Sequence, residues 1–228
     1  MTGPFPQFRA VADQGVLVEF GDTFDASVQG QVTSLDQKLA QTPFSGFTQT
    51  VPAYVNLLVC FNALMTDHAN VKQAILALLQ TPALPPRQGI SRQVDICFDA
   101  DLAPDLAEVA QLCALSEDAV IAAQLAINYQ VVMYGFAPGY AYLSGVPTPL
   151  QLPRKPRAKR GVPAGSVIVA GAQCLITTLT MPTGWWIIGR SPTRILLPDQ
   201  DAPFLFGVGD RVQFNRIDRA TFDAQMQS

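Results

Sequence analysis

The chain is nearly without histidine: among 228 residues only His68 is present. It sits in TDHANVKQAIL, which reads as the first turn of a surface helix. A Ser-His-Asp or Cys-His site within this chain is therefore not expected. The four cysteines, Cys60, Cys97, Cys113 and Cys174, form no CxxC pair. With one histidine the ligand spacing of a zinc site is missing as well, so no metal is expected, and the cysteines read as buried free thiols. No apolar run approaches the roughly 20 residues that a spanning helix needs. The N-terminal MTGPFPQFRA lacks the basic flank and apolar stretch of a signal peptide. These absences point to a cytoplasmic protein with no membrane segment. Charged residues are also scarce, at 14%, against 49% hydrophobic, which leaves enough apolar surface to bury and excludes a disordered chain.

The few charges are unevenly placed. Arg154, Lys155, Arg157, Lys159 and Arg160 fall in one short stretch without an acid. Taking those five away from a net charge of −3 leaves −8 for the remainder. A nucleic-acid binder spreads its basic residues over a face, so none is expected here. A solvated basic loop and a local anion site both remain open.

Length and patterning suggest two small domains. Residues 14–20 read as a strand. Phe24, Val28, Val32, Leu35 and Leu39 share one helical face, ended by Pro43 and Gly46. Extended runs follow at 47–51 and 54–61, separated by Pro52, and a helix capped by Thr66 or Asp67 presents Val71, Ile75, Leu78 and Leu79. This order predicts an α+β unit over residues 1–84, with helices on one face of an antiparallel sheet. The Pro-rich segment 81–89 marks the boundary. In residues 85–228, Val94, Ile96 and Phe98 alternate, 104–113 and 117–126 read as short helices, and Ser116 is a suitable cap. From 129 onward YQVVMYG, GSVIVAG, CLITTLT, WWIIGR, TRILL and RVQFNRI alternate with Gly- and Pro-rich turns, predicting a closed or partly closed barrel.

Three clusters carry candidate chemistry. In Gly135–Leu143, GFAPGYAYL, two glycines and a proline force an irregular path that brings Phe136, Tyr140 and Tyr142 either into a core or around a pocket. In VPAGSV, 162–167, Gly165 and Ser166 form a plain turn or a backbone anion site, but neither a P-loop nor a GxSxG elbow. In GWWIIGRSP, 184–192, Arg190 ends a strand, placed to grip a carboxylate or to serve as a structural ion.

Together with LVEFG, VPAY and PDLAEVA earlier in the chain, these motifs resemble the family of bacterial 5-oxoprolinase B subunits, also called allophanate hydrolase subunit 1 or the Kip inhibitor family. The resemblance runs over nearly the whole chain. It implies an N-terminal α+β subdomain and a C-terminal cyclophilin-like β-barrel. It also implies a C-type partner subunit, a third, A-type subunit, and opening of 5-oxo-L-proline at the expense of ATP by the assembled complex, with no cofactor on this chain. One branch is described as a histidine kinase inhibitor, and the family's relatives include urea carboxylase regions.

The resemblance also marks departures. Gln124 stands where a histidine is often found, Cys174, Leu175 and Thr177 replace a Thr-Gly and a tyrosine after Gln173, Lys159 replaces an arginine, and Pro182-Thr183-Gly184-Trp185 replaces Pro-Gly-Gly-Trp. An amide does not titrate near neutrality, so Gln124 cannot carry a proton. The site expected for an enzyme component is a cleft shared with the partner and lined by Arg190, Gln173, Ser166, Gly165, Tyr140, Tyr142, Phe136 and Arg154. Arg190 is expected on the substrate carboxylate, and Phe136, Tyr140 and Trp185 at the partner interface. The alternatives are a regulatory binding module such as a histidine kinase inhibitor, or an allophanate- or urea-type amidohydrolase subunit; a prolyl isomerase has no independent support, because fold does not carry function.

Overall fold

The computed structural model describes residues 4–23, 25–85 and 89–227. It divides into two compact units, Met1–Arg87 and Gln88–Ser228. Phe24 and residues 86–88, on which part of the sequence reading rests, lie outside the described residues, as do residues 1–3.

In the first unit, strands β1 (Gln7–Val11), β2 (Gly15–Glu19), β3 (Phe47–Ala53) and β4 (Asn56–Phe61) form an antiparallel sheet in the order β1-β2-β4-β3. Helices α1 (Ala26–Gln41) and α2 (His68–Leu79) bury Val32, Leu35, Leu39, Val71 and Ile75 with the sheet residues Val16, Val18, Leu57 and Val59. Asp25 caps α1 by accepting from Ser27 N and Val28 N, and Asp67 caps α2 by accepting from Asn70 N. Lys38 is buried, and its ammonium donates to the carbonyls of Leu78 (2.9 Å) and Thr81 (3.0 Å), placing a cation at the C-terminal end of α2. His68 is half-buried, edge-on to Phe61, with Nε2 3.1 Å from Ala12 O, rather than a freely solvated helix residue. Pro52 does not separate strands as expected. It lies within β3, an edge strand, where its missing N–H costs no ladder bond, and the turn falls at Tyr54. β1 has no strong apolar alternation and was not foreseen.

The second unit is a nearly closed barrel. Its strands are β5 (Ser91–Ile96), β6 (Asn128–Tyr134), β7 (Ala141–Ser144), β9 (Ser166–Ala170), β10 (Gln173–Ile176), β12 (Trp186–Arg190) and β13 (Arg211–Arg216). Their order is β12-β9-β10-β7-β6-β13-β5. A separate pair, β8 (Lys159–Val162) and β11 (Met181–Thr183), forms its own two-stranded sheet. Helices α3 (Leu106–Leu112), α4 (Glu117–Leu125, capped by Ser116) and α5 (Arg219–Met226) complete it. The expected strand at TRILL is absent. Pro192 and Pro198 flank it, and only an isolated bridge, Leu196 to Phe204, remains. Conversely β7, β8, β11 and α5 were not legible, being short or hidden among glycines and prolines.

The two outer strands, β12 and β5, meet at one seam. Cys97 N donates to Arg190 O (2.8 Å) and Arg190 N to Cys97 O (3.0 Å). Further along β12, Asp105 takes the place of a neighbouring strand: its N–H donates to Ile187 O (3.0 Å) and its carboxylate accepts from Ile187 N (2.7 Å). Closure needs a close approach at Gly189, where a Cβ would lie 2.6 Å from Ile96 Cδ1. Strand alternation then sorts the side chains. Val167, Val169, Cys174, Ile176, Trp186 and Ile188 point into the barrel core. Ile168, Leu175, Trp185 and Ile187 join Tyr140 and Val162 in a second core on the outer face. Gly189→Ala is expected to destabilise the protein by about 1–3 kcal/mol, because the added methyl overpacks the seam. A lowered midpoint in urea unfolding, with far-UV circular dichroism unchanged before the transition, checks this.

Candidate functional site

The outer-face core is open on one side. Phe136, Tyr140, Tyr142, Arg154, Met181 and Trp185 line a cavity of about 180 Å³ there. The rings of Tyr142 and Trp185 meet edge-on at 6.0 Å, and those of Phe136 and Tyr140 at 5.6 Å. Tyr140 OH donates to Met181 Sδ. Burial pushes the Tyr140 hydroxyl up to about 12 and raises that of Tyr142, against the opposing pull of the Arg154 charge. Both hydroxyls therefore stay protonated at neutral pH and remain donors.

Arg154 is held in place by its neighbours on a short strap. Trp186 Nε1 donates to Pro153 O (2.7 Å) and Lys155 N donates to Gly184 O (2.7 Å). The Lys155 ammonium is ion-paired with the Asp105 carboxylate, both side chains being largely buried. Between these anchors the Arg154 guanidinium lies 5.7 Å from the Trp185 ring centroid. Among the described residues it enters no ion pair. The basic stretch is thus divided: Lys155 is structural, and Arg154 is an available cation facing an aromatic wall. Nothing in the local spacing announces this, since Asp105 lies fifty residues from Lys155.

Arg190 and Ser166 occupy a different place, the end of the barrel where β9 begins and β12 ends. Arg190 Nε donates to Ala164 O (3.1 Å), and its guanidinium lies over the Phe222 ring at 5.9 Å. Ser166 N donates to Thr177 Oγ1 (2.9 Å) and Ser166 Oγ to Pro163 O (2.8 Å). Gly165 has φ +82°, and a Cβ there would lie 2.4 Å from Ser191 O. Its N–H donates to Thr177 O (2.6 Å). The turn's N–H groups, read as either a plain turn or an anion site, are therefore bonded to Thr177, just beyond β10. Two cavities adjoin this end: one of about 120 Å³ beside Ser166, Arg190, Lys159 and Asp101, and one of about 640 Å³ lined by Gly165, Thr177, Ser191, Arg194 and Gln225.

Gln173 belongs to neither place. It starts β10, opposite Ala170 and Ser144, while Ser166 pairs with Arg190 at the other end of β9. Four residues of strand separate the two ends, roughly 13 Å. Gln173 and Arg190 therefore stand at opposite ends of β9. Of the three residues expected at a partner interface, Tyr140 and Trp185 are buried in the outer-face core, and only Phe136 is widely exposed.

Gln124 is inside the barrel. Its carbonyl accepts from Tyr129 OH (2.7 Å), and its amide donates to Cys174 Sγ (3.6 Å). Burial pushes the Cys174 thiol up to about 12, so it is not a nucleophile at neutral pH. The substituted positions 124 and 174 therefore face each other in the core and not the cradle. Of the other cysteines, all free, Cys97 is buried, whereas Cys60 and Cys113 are only half-buried.

Residues 6–206 match the carboxyltransferase domain family, subdomain C and D. The chain belongs to that family. Curated relatives are the 5-oxoprolinase B subunit of Bacillus subtilis strain 168, 28% identical over 96% of this chain and 95% of its own length, and that of Escherichia coli O157:H7, 30% identical over 90% and 93%. Among solved structures, a conserved uncharacterized protein of Pyrococcus horikoshii is 31% identical with TM-score 0.56, covering 95% of this chain and 100% of its own. Another, TTHA0988, is 31% identical with TM-score 0.78, but this chain spans only 40% of its length. The Kluyveromyces lactis urea carboxylase aligns with TM-score 0.80 over 96% of this chain and 22% of its own; at 14% identity it bears on the fold alone. The α+β organisation with a C-terminal barrel stands, and among the described residues no helix is long and apolar enough to cross a membrane.

The two neighbouring cations give opposite expectations. Lys155→Met strands the buried Asp105 carboxylate and should cost about 3 kcal/mol or more. Arg154→Met leaves no buried charge behind and should change stability by about 0.5 kcal/mol or less. Thermal unfolding of both variants beside the wild type distinguishes them.

Proposed function

We propose that this chain is the B-type subunit of a cytoplasmic, heteromeric, ATP-dependent 5-oxoprolinase, acting with a C-type partner and a third, A-type chain. The observation that carries this reading is the outer-face cradle, in which an unpaired guanidinium stands beside an aromatic wall. A small cyclic amide with one carboxylate matches it. The carboxylate takes the bidentate fork of Arg154. The ring lies against Trp185, Tyr142 and Phe136, and the Tyr142 hydroxyl donates to the amide carbonyl.

The carboxylate is assigned to Arg154 and not to Arg190, because Arg190 already supports the 164–166 turn and Phe222. Arg190, Ser166 and Gly165 shape the barrel end, and Gln173 stays remote from the substrate. Neither tyrosine in the cradle titrates near neutrality, and the only histidine lies in the other unit. Proton transfer and ATP handling therefore fall to the partner chains, with no cofactor held here. The names of the curated relatives support the same reading.

The test is steady-state kinetics of the assembled complex, following 5-oxoproline-dependent ATP hydrolysis. Arg154→Gln should raise KM for 5-oxoproline about tenfold or more, the loss of one charge-assisted interaction. Arg190→Lys should leave KM within about twofold and lower Tm, since it removes the Nε–H bond to Ala164 O and no substrate contact. The reverse pattern would return the carboxylate to Arg190. A complex that hydrolyses no ATP in response to 5-oxoproline would remove the enzymatic reading altogether.

A further inference from the structure

The larger cavity at the barrel end, about 640 Å³, lies apart from the cradle and exceeds its 180 Å³. Its volume is within the range of small-ligand sites. The two share no lining residue. The Gly135–Tyr140 loop serves both: Phe136 and Tyr140 line the cradle, while Pro138 O accepts from Thr178 Oγ1 (2.7 Å) in the wall of the larger cavity. A Cβ on Gly139 would lie 2.7 Å from Leu196 Cδ2 in that same wall, so the loop packs closely against it.

The polar groups of the larger cavity are not all used by the fold. Arg194 lines it and is exposed, and among the described residues it makes neither an ion pair nor a side-chain hydrogen bond. Ser191 is buried; its hydroxyl accepts from Thr193 N (3.2 Å) and donates to no described residue. The Thr193 hydroxyl has no partner among the described residues either. These three side chains offer donors around one positive charge. Thr178 is the reverse case. Its proton goes to Pro138 O, so towards a ligand its oxygen can only accept. Among the described residues no acid lines the cavity. Its remaining wall is the C-terminal end of α5, with Gln225 and Met226, where the helix dipole opposes a second negative charge. Pro192, Leu196 and the exposed Met226 side chain add apolar surface.

We propose that this cavity binds a small N-acylated amino acid or dipeptide that carries one free carboxylate. The carboxylate takes the Arg194 fork and the hydroxyls of Ser191 and Thr193. An amide N–H of the ligand donates to Thr178 Oγ1, and its apolar side chain lies against Leu196 and Met226. A free amino terminus does not suit the site, because its charge would find no acid there; an acylated one does. One guanidinium beside a helix C-terminus matches a single carboxylate rather than a phosphate dianion. The proposal does not depend on the reading of the cradle.

The probe is N-acetyl-L-leucyl-L-leucine, titrated calorimetrically into the 228-residue chain beside the same peptide with a C-terminal amide. The acid should bind with Kd of about 1 mM or below. The amide should bind about tenfold or more weakly, having lost the charge-assisted pair. Arg194→Gln, an exposed substitution, should weaken the acid about tenfold or more and bring acid and amide within about twofold of each other. Thr178→Val should weaken both peptides by about threefold or more, the loss of one neutral hydrogen bond. Arg154→Gln should leave Kd for the acid within about twofold, because that residue lies in the cradle. Circular dichroism and Tm of each variant establish that all are folded. Failure of the acid to bind the wild type at about 10 mM, or equal binding of acid and amide, overturns the site. A loss on Arg154→Gln as large as that on Arg194→Gln moves the peptide to the cradle and overturns it too.

Discussion

Asp105 is the residue on which the second unit's geometry turns. Its backbone N–H and its carboxylate both bond to Ile187, closing the part of the barrel seam that the Cys97–Arg190 pair does not reach. A strand edge left open there would expose unpaired polar groups. The same carboxylate binds Lys155, which fixes the strap carrying Arg154. One acid therefore joins the closure of the barrel to the placement of the available cation on its outer face. Gly189 makes the arrangement possible, because any side chain there would collide with Ile96.

Once the barrel closes, strand alternation divides its residues into two populations. The inward set fills the interior and includes a satisfied polar chain of Tyr129, Gln124 and Cys174. The outward set on β9, β10 and β12 would be an exposed apolar surface without the β8–β11 pair and the Gly135–Tyr140 loop. Their cover is incomplete, and the gap is the cradle. The candidate site is thus the remainder of a packing problem: aromatic because it continues a core, and cationic because the strap crossing it carries Arg154.

The cradle has donors and a cation but no group that exchanges protons near neutral pH. Burial raises its tyrosines and does not lower them. Chemistry at this position needs groups from elsewhere, which agrees with a chain that recognises a ligand and works within an assembly. At the barrel end around Arg190 the N–H groups of Gly165 and Ser166 and the Arg190 Nε are bonded within the chain, while two cavities open beside them.

Much of this was legible in the sequence. Periodicity located α1, α2, β2, β4, β9 and β12, because side-chain spacing of 3.6 or 2 is a local property of the chain. The scarcity of histidine argued against an internal triad, and the three motifs marked the residues around the cradle and the barrel end. What spacing could not reveal was which of those residues meet. Gln173 starts β10 beside Ala170, whereas Arg190 ends β12 beside Ser166, at the other end of β9, because β10 and β12 pair with β9 at different registers. Lys155 and Arg154 are adjacent and chemically alike, yet one is consumed by an acid fifty residues away and the other is available. The sequence by itself determined the elements, the apolar inventory and the family. Only the tertiary structure decided the pairing of charges and the side of the barrel on which each residue stands, because both depend on contacts between segments whose separation along the chain carries no periodic signal.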